Sequence, residues 1–134
     1  MPDPVGYSGK PLIHKLGLKD SQVLKPIAAP EAYVDWIEPL PPGARVEPAS
    51  AEADLVHLFV RDRADLEQGA GPALATVKPG GMLWVSWPKK ASPLFRDLTE
   101  DGLREILLPT GWVDVKVCAV SADWSGLKFL KRRS

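Results

Sequence analysis

The 134-residue chain holds one cysteine, Cys118, and two histidines, His14 and His57. A single thiol excludes an intrachain disulfide and any zinc centre built on cysteines, and two imidazoles without carboxylates at ligand spacing predict no metal. Lone cysteine usage also suits a reducing cytoplasm. An excess of either charge is missing as well: 17 Lys and Arg balance 17 Asp and Glu. A neutral chain lacks the field by which nucleic acids and anionic membranes are bound, so neither is an expected partner. No apolar run reaches the roughly 18 residues of a membrane span. The opening Met-Pro-Asp-Pro-Val-Gly has neither the basic nor the apolar segment of an export signal. A soluble, cytoplasmic protein is the expectation.

Motifs that carry chemistry are also scarce. A phosphate loop needs glycines and a terminal Lys-Ser/Thr so that backbone amides can surround phosphate. The stretch Pro4-Val5-Gly6-Tyr7-Ser8-Gly9-Lys10-Pro11 imitates it, but with proline at the first and last required positions. Gly69-Ala70-Gly71-Pro72-Ala73-Leu74 lacks the third glycine of a dinucleotide fingerprint and falls among helical residues. Ser86 has no flanking glycine to make a nucleophile elbow. His57 sits in an apolar run and reads as a core imidazole bonded to a backbone group or nearby polar side chain, and Cys118 as a small apolar residue in a strand. No catalytic residue and no cofactor are predicted.

What is present is a globular composition, 45% apolar and 25% charged, expected to form a single domain over residues 1–134. The 14 prolines and 11 glycines fall singly between apolar runs and punctuate elements. Lys10 to Gly17 predicts a short helix with Leu12, Ile13 and Leu16 on one face, packed on a sheet rim. Val23 to Ala29 predicts a strand made irregular by Pro26. Pro30 and Glu31 open a helix with Tyr33, Val34 and Ile37 on one side.

Ala44 to Glu47 is a short strand, and Asp54 to Val60 and Met82 to Trp87 are apolar enough to be strands covered on both faces. Between these two, Asp62 caps a helix bearing Leu66, Ala70, Ala73, Leu74 and Val77, which Gly69, Gly71 and Pro72 are expected to break in two, with Pro79-Gly80-Gly81 as the turn out of it. Thr99 caps a helix with Leu103, Ile106 and Leu107 facing inward, ended by Pro109 and Gly111. Val113, Val115 and Val117 alternate with polar neighbours, and Leu127 to Leu130 completes an antiparallel hairpin. The sum is an α/β, three-layer Rossmann-like sandwich with a mostly parallel sheet ending in that hairpin.

In open parallel sheets, ligands bind beyond the carboxyl ends of the strands. The residues expected there are Pro30 and Glu31, then Arg61 and Arg63, then Lys89, Lys90 and Ser92. Four cations with a hydroxyl beside them can hold an anion. The competing reading is a row of solvated charges paired with Asp62, Asp65 or Asp97. Trp87 and Trp124, at strand ends, suggest stacking or packing, while Trp84 and Trp112 read as core. The Lys131-Arg132-Arg133 tail reads as a solvated end.

Val77-Lys78-Pro79-Gly80-Gly81-Met82-Leu83-Trp84-Val85 resembles the helix-turn-strand phrase of class I S-adenosylmethionine-dependent methyltransferases, and Asp54-Leu55-Val56 resembles their preceding strand. The resemblance implies a truncated form of that fold, since the interval from Glu47 to Asp54 cannot hold the helix and extra strand of a full-length enzyme. It also implies a glycine-rich turn after the first strand, where this chain has Ala28-Ala29-Pro30-Glu31-Ala32. Cβ atoms there are expected to crowd out the cofactor. If the chain were such an enzyme, Glu31 or Glu47 would make the cofactor contacts.

More closely, Tyr7-Ser8-Gly9-Lys10-Pro11-Leu12, Leu83-Trp84-Val85-Ser86-Trp87-Pro88-Lys89-Lys90 and Asp123-Trp124-Ser125-Gly126-Leu127-Lys128 are similar to phrases of the small bacterial domain-of-unknown-function family 3052. That family implies a cellular setting and no activity. The expected function is a non-catalytic domain binding a small anionic ligand or a protein partner at the Glu31, Arg61, Arg63, Lys89, Lys90 and Ser92 edge. A divergent methyltransferase is the alternative. A structural part of an assembly, anchored by exposed Trp36 or Trp124, is a further one.

Overall fold

Leu55-Val56-His57-Leu58-Phe59-Val60 and Met82-Leu83-Trp84-Val85-Ser86-Trp87 have little polar surface to turn toward water, so each is stable only where both faces are covered. In the computed structural model, which describes residues 11–132, these runs form β3 (Ala53–Phe59) and β4 (Val77–Pro88), paired in parallel at the centre of the sheet. On one side β3 pairs in parallel with β1 (Val23–Ile27), and β1 with β2 (Arg45–Val46). On the other side β4 pairs antiparallel with β6 (Trp124–Lys131), whose hairpin partner β5 (Trp112–Ala119) is the outer strand. The six-stranded order is β2-β1-β3-β4-β6-β5.

Pro26 is tolerated inside β1 for a geometric reason. Gln22 and Leu24 accept bonds from Arg45 and Glu47 at 3.0 and 2.9 Å. Pro26 continues that same side of β1, but β2 has already ended, so its missing N–H removes no ladder bond.

Helices cover both faces. On one, α3 (Arg63–Leu74) and α4 (Glu100–Leu107) bury Leu66, Ala70, Ala73, Leu103 and Leu107 against Val56, Leu58, Leu83 and Val85. On the other, the five-residue helices α1 (Leu12–Leu16) and α2 (Tyr33–Ile37) bury Ile13, Leu16, Tyr33 and Ile37 against Leu55, Phe59 and Trp84. Gly17, in the left-handed region at φ +88°, ends α1 with its N–H on the carbonyls of Ile13 and His14. Asp62 and Thr99 cap α3 and α4 as their sequence positions require. The phosphate-loop imitation lies almost wholly outside the described residues.

Several expectations are corrected. Helix α3 is continuous through Gly69, Gly71 and Pro72. Pro72 stands in its last turn on the exposed side, where the lost bond and the freed carbonyl of Gln68 meet solvent, while Leu66, Ala70 and Ala73 hold the helix to the sheet. Val77 opens β4 instead of closing α3. Pro79-Gly80-Gly81 bulges out within β4: the step from Ala53 to Leu55 on β3 is matched by Val77 to Met82 on β4. Val34 is 52% exposed, because in a helix this short only the Tyr33 and Ile37 pair, one turn apart, faces inward.

The strand expected around Val113, Val115 and Val117 is β5, but its two sides are not evenly covered. A register shift between Asp114 and Lys116 interrupts the pleat, and Val115 and Val117 stay exposed on the sheet edge. The first strand stops at Ile27, and the second spans only Arg45–Val46.

Gly81 shows how closely the bulge is folded against β3. A Cβ there would lie 2.7 Å from the carbonyl oxygen of Asp54 and 2.9 Å from that of Lys78, both backbone atoms. Gly81→Ala is therefore expected to destabilise by about 1–3 kcal/mol, read as a lower urea midpoint at unchanged slope. Gly80→Ala tests a different cost: its added methyl meets open space, but φ is +81°, so about 1 kcal/mol is expected from backbone strain alone.

Candidate functional site

The parallel strands β1, β3 and β4 end at one edge of the sheet, and the chain leaves each by a different kind of turn. After β1, Ala28 takes the left-handed conformation at φ +59°, uncommon for a residue with a Cβ, and turns the chain toward Pro30. After β3, the Arg61 N–H donates to Asp65 Oδ2 at 3.0 Å, and Asp62 Oδ1 accepts from the Asp65 N–H at 2.9 Å. After β4, the segment from Lys89 to Asp97 runs back across the edge toward α4.

These turns leave two adjoining clefts. One of about 240 Å³ is lined by Ala28, Pro30, Phe59, Arg61, Asp65 and Trp124. The other, about 360 Å³, is lined by Arg61, Pro93, Leu94, Phe95, Arg96 and Trp124. Arg61 and Trp124 belong to both. The Arg61 side chain is 71% exposed, and its Nε lies 3.8 Å from Asp65, too far for a hydrogen bond. Arg96 donates through one terminal nitrogen to Asp62 at 3.2 Å. The Asp65 backbone N–H and the Arg96 guanidinium hold the Asp62 carboxyl below the usual carboxylate range. Since a guanidinium has five N–H donors, both arginines keep most of theirs without a protein acceptor among the described residues.

Of the residues expected at this edge from the sequence, Pro30 and Arg61 line a cleft, and Arg61 is the one charged residue of that set that does. Arg63 turns to α4, bonding Glu105 at 2.9 Å and Glu67 at 3.3 Å, and these partners raise its pKa. Ser92 donates to Asp123 at 2.9 Å and accepts from the Leu94 N–H at 3.0 Å. Lys89 is half-buried, with its backbone N–H on the Asp123 carbonyl at 2.8 Å, while Lys90 and Glu31 are exposed. Glu47 pairs with Arg45 at 2.8 Å.

The sequence reading missed Phe95 and Arg96, which the returning loop brings over the edge. Only the three-dimensional path of that loop reveals them. Trp124 was visible as a strand-end aromatic, but as an exposed anchor it is corrected: it is 9% exposed, packed edge-on against Phe59 at 5.1 Å between ring centroids. Trp36 is half-buried beside Tyr33.

Beneath the clefts lies a buried polar relay. Phe59 stacks on His57 at 4.4 Å; His57 Nδ1 bonds the Tyr33 hydroxyl at 2.8 Å, and its Nε2 bonds Ser86 Oγ at 2.6 Å. His57 and Ser86 are fully buried, and every buried side-chain polar atom among the described residues has a partner. Burial lowers the His57 pKa to about 3 and pushes the Tyr33 phenol above its ordinary value, so both are neutral at pH 7. This is the core imidazole expected from the sequence. It joins α2 to β3 and β4 and does not open to the clefts. Cys118 is half-buried on β5, and burial raises its thiol pKa. Among the described residues no group of three or more His, Cys, Asp or Glu can hold a metal, and no helix is long and apolar enough to cross a membrane.

No family model and no curated protein matches the chain. Solved structures do. A possible exported protein from Bordetella parapertussis aligns over 91% of the chain with a TM-score of 0.65 at 12% identity; the chain spans 66% of that longer protein. A SAM dependent methyltransferase from Aquifex aeolicus aligns over 92% of this chain and 89% of its own, with a TM-score of 0.61 and 9% identity. A ribosomal protein L11 methylase from Lactobacillus delbrueckii subsp. bulgaricus aligns over 91% and 76%, with a TM-score of 0.57 and 9% identity. The fold is therefore the Rossmann-like fold of S-adenosylmethionine-dependent methyltransferases; at such identities the likeness extends to the fold alone.

The residues present do not fit that cofactor. Every position from Ala28 to Ala32 carries a side chain, and the cleft above β1 is lined by Ala28 and Pro30. Glu47, at the end of β2, lines neither cleft.

Proposed function

We propose that the protein is a non-catalytic, methyltransferase-fold domain that binds a small anionic ligand at the carboxyl edge of its sheet, centred on Arg61. The observation that carries this reading is the placement of one loosely held, exposed guanidinium in the shared wall of both clefts. A fork of unpartnered N–H donors there suits a carboxylate or phosphate. Lys89 and Lys90, on the neighbouring loop, add positive potential around the edge. A cytoplasmic setting accords with the single half-buried thiol. Kinship with family 3052 rests on the phrases quoted above, the first of which begins outside the described residues.

The test is thermal denaturation with added ligands. Millimolar inorganic phosphate is expected to raise the Tm of the wild type more than that of Arg61→Ala, and the difference isolates the site from general salt effects. S-adenosylmethionine and S-adenosylhomocysteine are expected to leave Tm unchanged. The second reading, a divergent methyltransferase, draws on the names of the structural neighbours. A saturable rise with S-adenosylhomocysteine that survives Arg61→Ala would establish it and remove ours.

A further inference from the structure

Resting on the anion reading above, we infer that the ligand is an aromatic carboxylate, its head group on Arg61 and its ring in the larger cleft. A hydrated inorganic anion gains nothing from an apolar bed, yet the cleft of about 360 Å³ is lined by Pro93, Leu94, Phe95 and Trp124, with Arg61 and Arg96 as its charged residues and no carboxylate in its lining. That volume is at the small end of the roughly 300–1,000 Å³ range for organic ligands, which suits one or two rings. Leu94 is 47% exposed, an apolar side chain left without full cover at the end of the sheet where ligands bind.

The bed is also held in place. Ser92 is bonded to Asp123 and to the Leu94 N–H, its carbonyl accepts from the Phe95 N–H at 3.0 Å, and Asp123 accepts from the Lys89 N–H. The loop carrying Leu94 and Phe95 is thereby tied to the β5–β6 turn that leads into Trp124 at the start of β6, while Phe59 fixes the indole edge-on. A surface ordered before binding loses little entropy on taking up a rigid ring.

The experiment is an ¹⁵N-resolved NMR titration of the full chain with 2-naphthoate, its neutral isostere 2-naphthalenemethanol, and inorganic phosphate. We expect 2-naphthoate to move the Trp124 indole N–H and the Leu94 and Phe95 amides saturably, at least tenfold more tightly than either control. Arg61→Ala is expected to weaken naphthoate at least tenfold. Leu94→Ser, at an exposed position, is expected to weaken naphthoate several-fold and leave phosphate unchanged. If phosphate binds at Arg61 but naphthoate binds no more tightly and ignores Leu94→Ser, the aromatic inference is overturned while the anion reading stands. If the alcohol binds as well as the acid and Arg61→Ala changes neither, both fail. Absence of any naphthoate shift at these amides also overturns the inference.

Discussion

Trp84→Ala is expected to lower the unfolding free energy by about 3–5 kcal/mol, measured by urea denaturation at neutral pH. Trp84 is fully buried in the face covered by α1 and α2, and its indole N–H donates to the Leu16 carbonyl at 2.8 Å. Truncation would open a cavity beneath α1 and strand that carbonyl without its donor. It would also remove the ring against which Gly126 is packed, where even a Cβ would come within 3.2 Å of the indole. Against a usual domain stability of about 5–15 kcal/mol, such a loss takes the protein close to unfolding at 37 °C. Trp84→Phe separates the two contributions: it keeps most of the volume and loses the hydrogen bond, so about 1–3 kcal/mol is expected. Equal losses for the two variants would show that the bond, and not the packing, secures α1.

Acidification is expected to have an effect of similar size through one residue. Free histidine titrates near 6.5, while burial holds His57 to about 3 in the folded protein. Between these values the unfolded chain binds a proton that the folded chain excludes, so stability must fall as pH falls, from 6.5 toward 3. At about 1.4 kcal/mol per pH unit, the full window is worth up to about 5 kcal/mol. Urea midpoints measured from pH 7 to 4 are expected to decline steeply in the wild type. In His57→Gln, destabilised overall, the decline between pH 6.5 and 5 is expected to flatten. An unchanged slope in that variant would mean that His57 is not the group taking up the proton.

Residues that make their structure locally could be read from the chain directly. The β3 and β4 runs, the Asp62 and Thr99 caps, the Gly17 and Gly111 stops and the closing hairpin all depend on neighbours a few positions away. Misreadings occurred where distant contacts overruled local preference. Gly69, Gly71 and Pro72 predict a break because glycine is helix-poor and proline lacks an N–H, but the place of Pro72 on the exposed side of α3, opposite the side packed on the sheet, lets the helix continue. The alternation of Val113, Val115 and Val117 marks the strand β5, but that β5 is the outer strand, leaving Val115 and Val117 exposed, is decided by the sheet order.

The site divides the same way. Topology alone pointed to the carboxyl edge and to Arg61, because parallel strands deliver their following residues to one place. Arg63 has the same charge two positions later, but one turn of α3 carries its side chain to Glu67 and Glu105. Sequence by itself determined the layered α/β architecture, the net charge of zero and the absence of a glycine turn after β1, since each follows from residue identity and short-range spacing. Only the tertiary structure decided that Phe95, Arg96 and Trp124 meet Arg61 around a cleft. Their meeting depends on the path of the loop after β4 and on its bonds to the β5–β6 turn, contacts between residues far apart in the chain that no local pattern encodes.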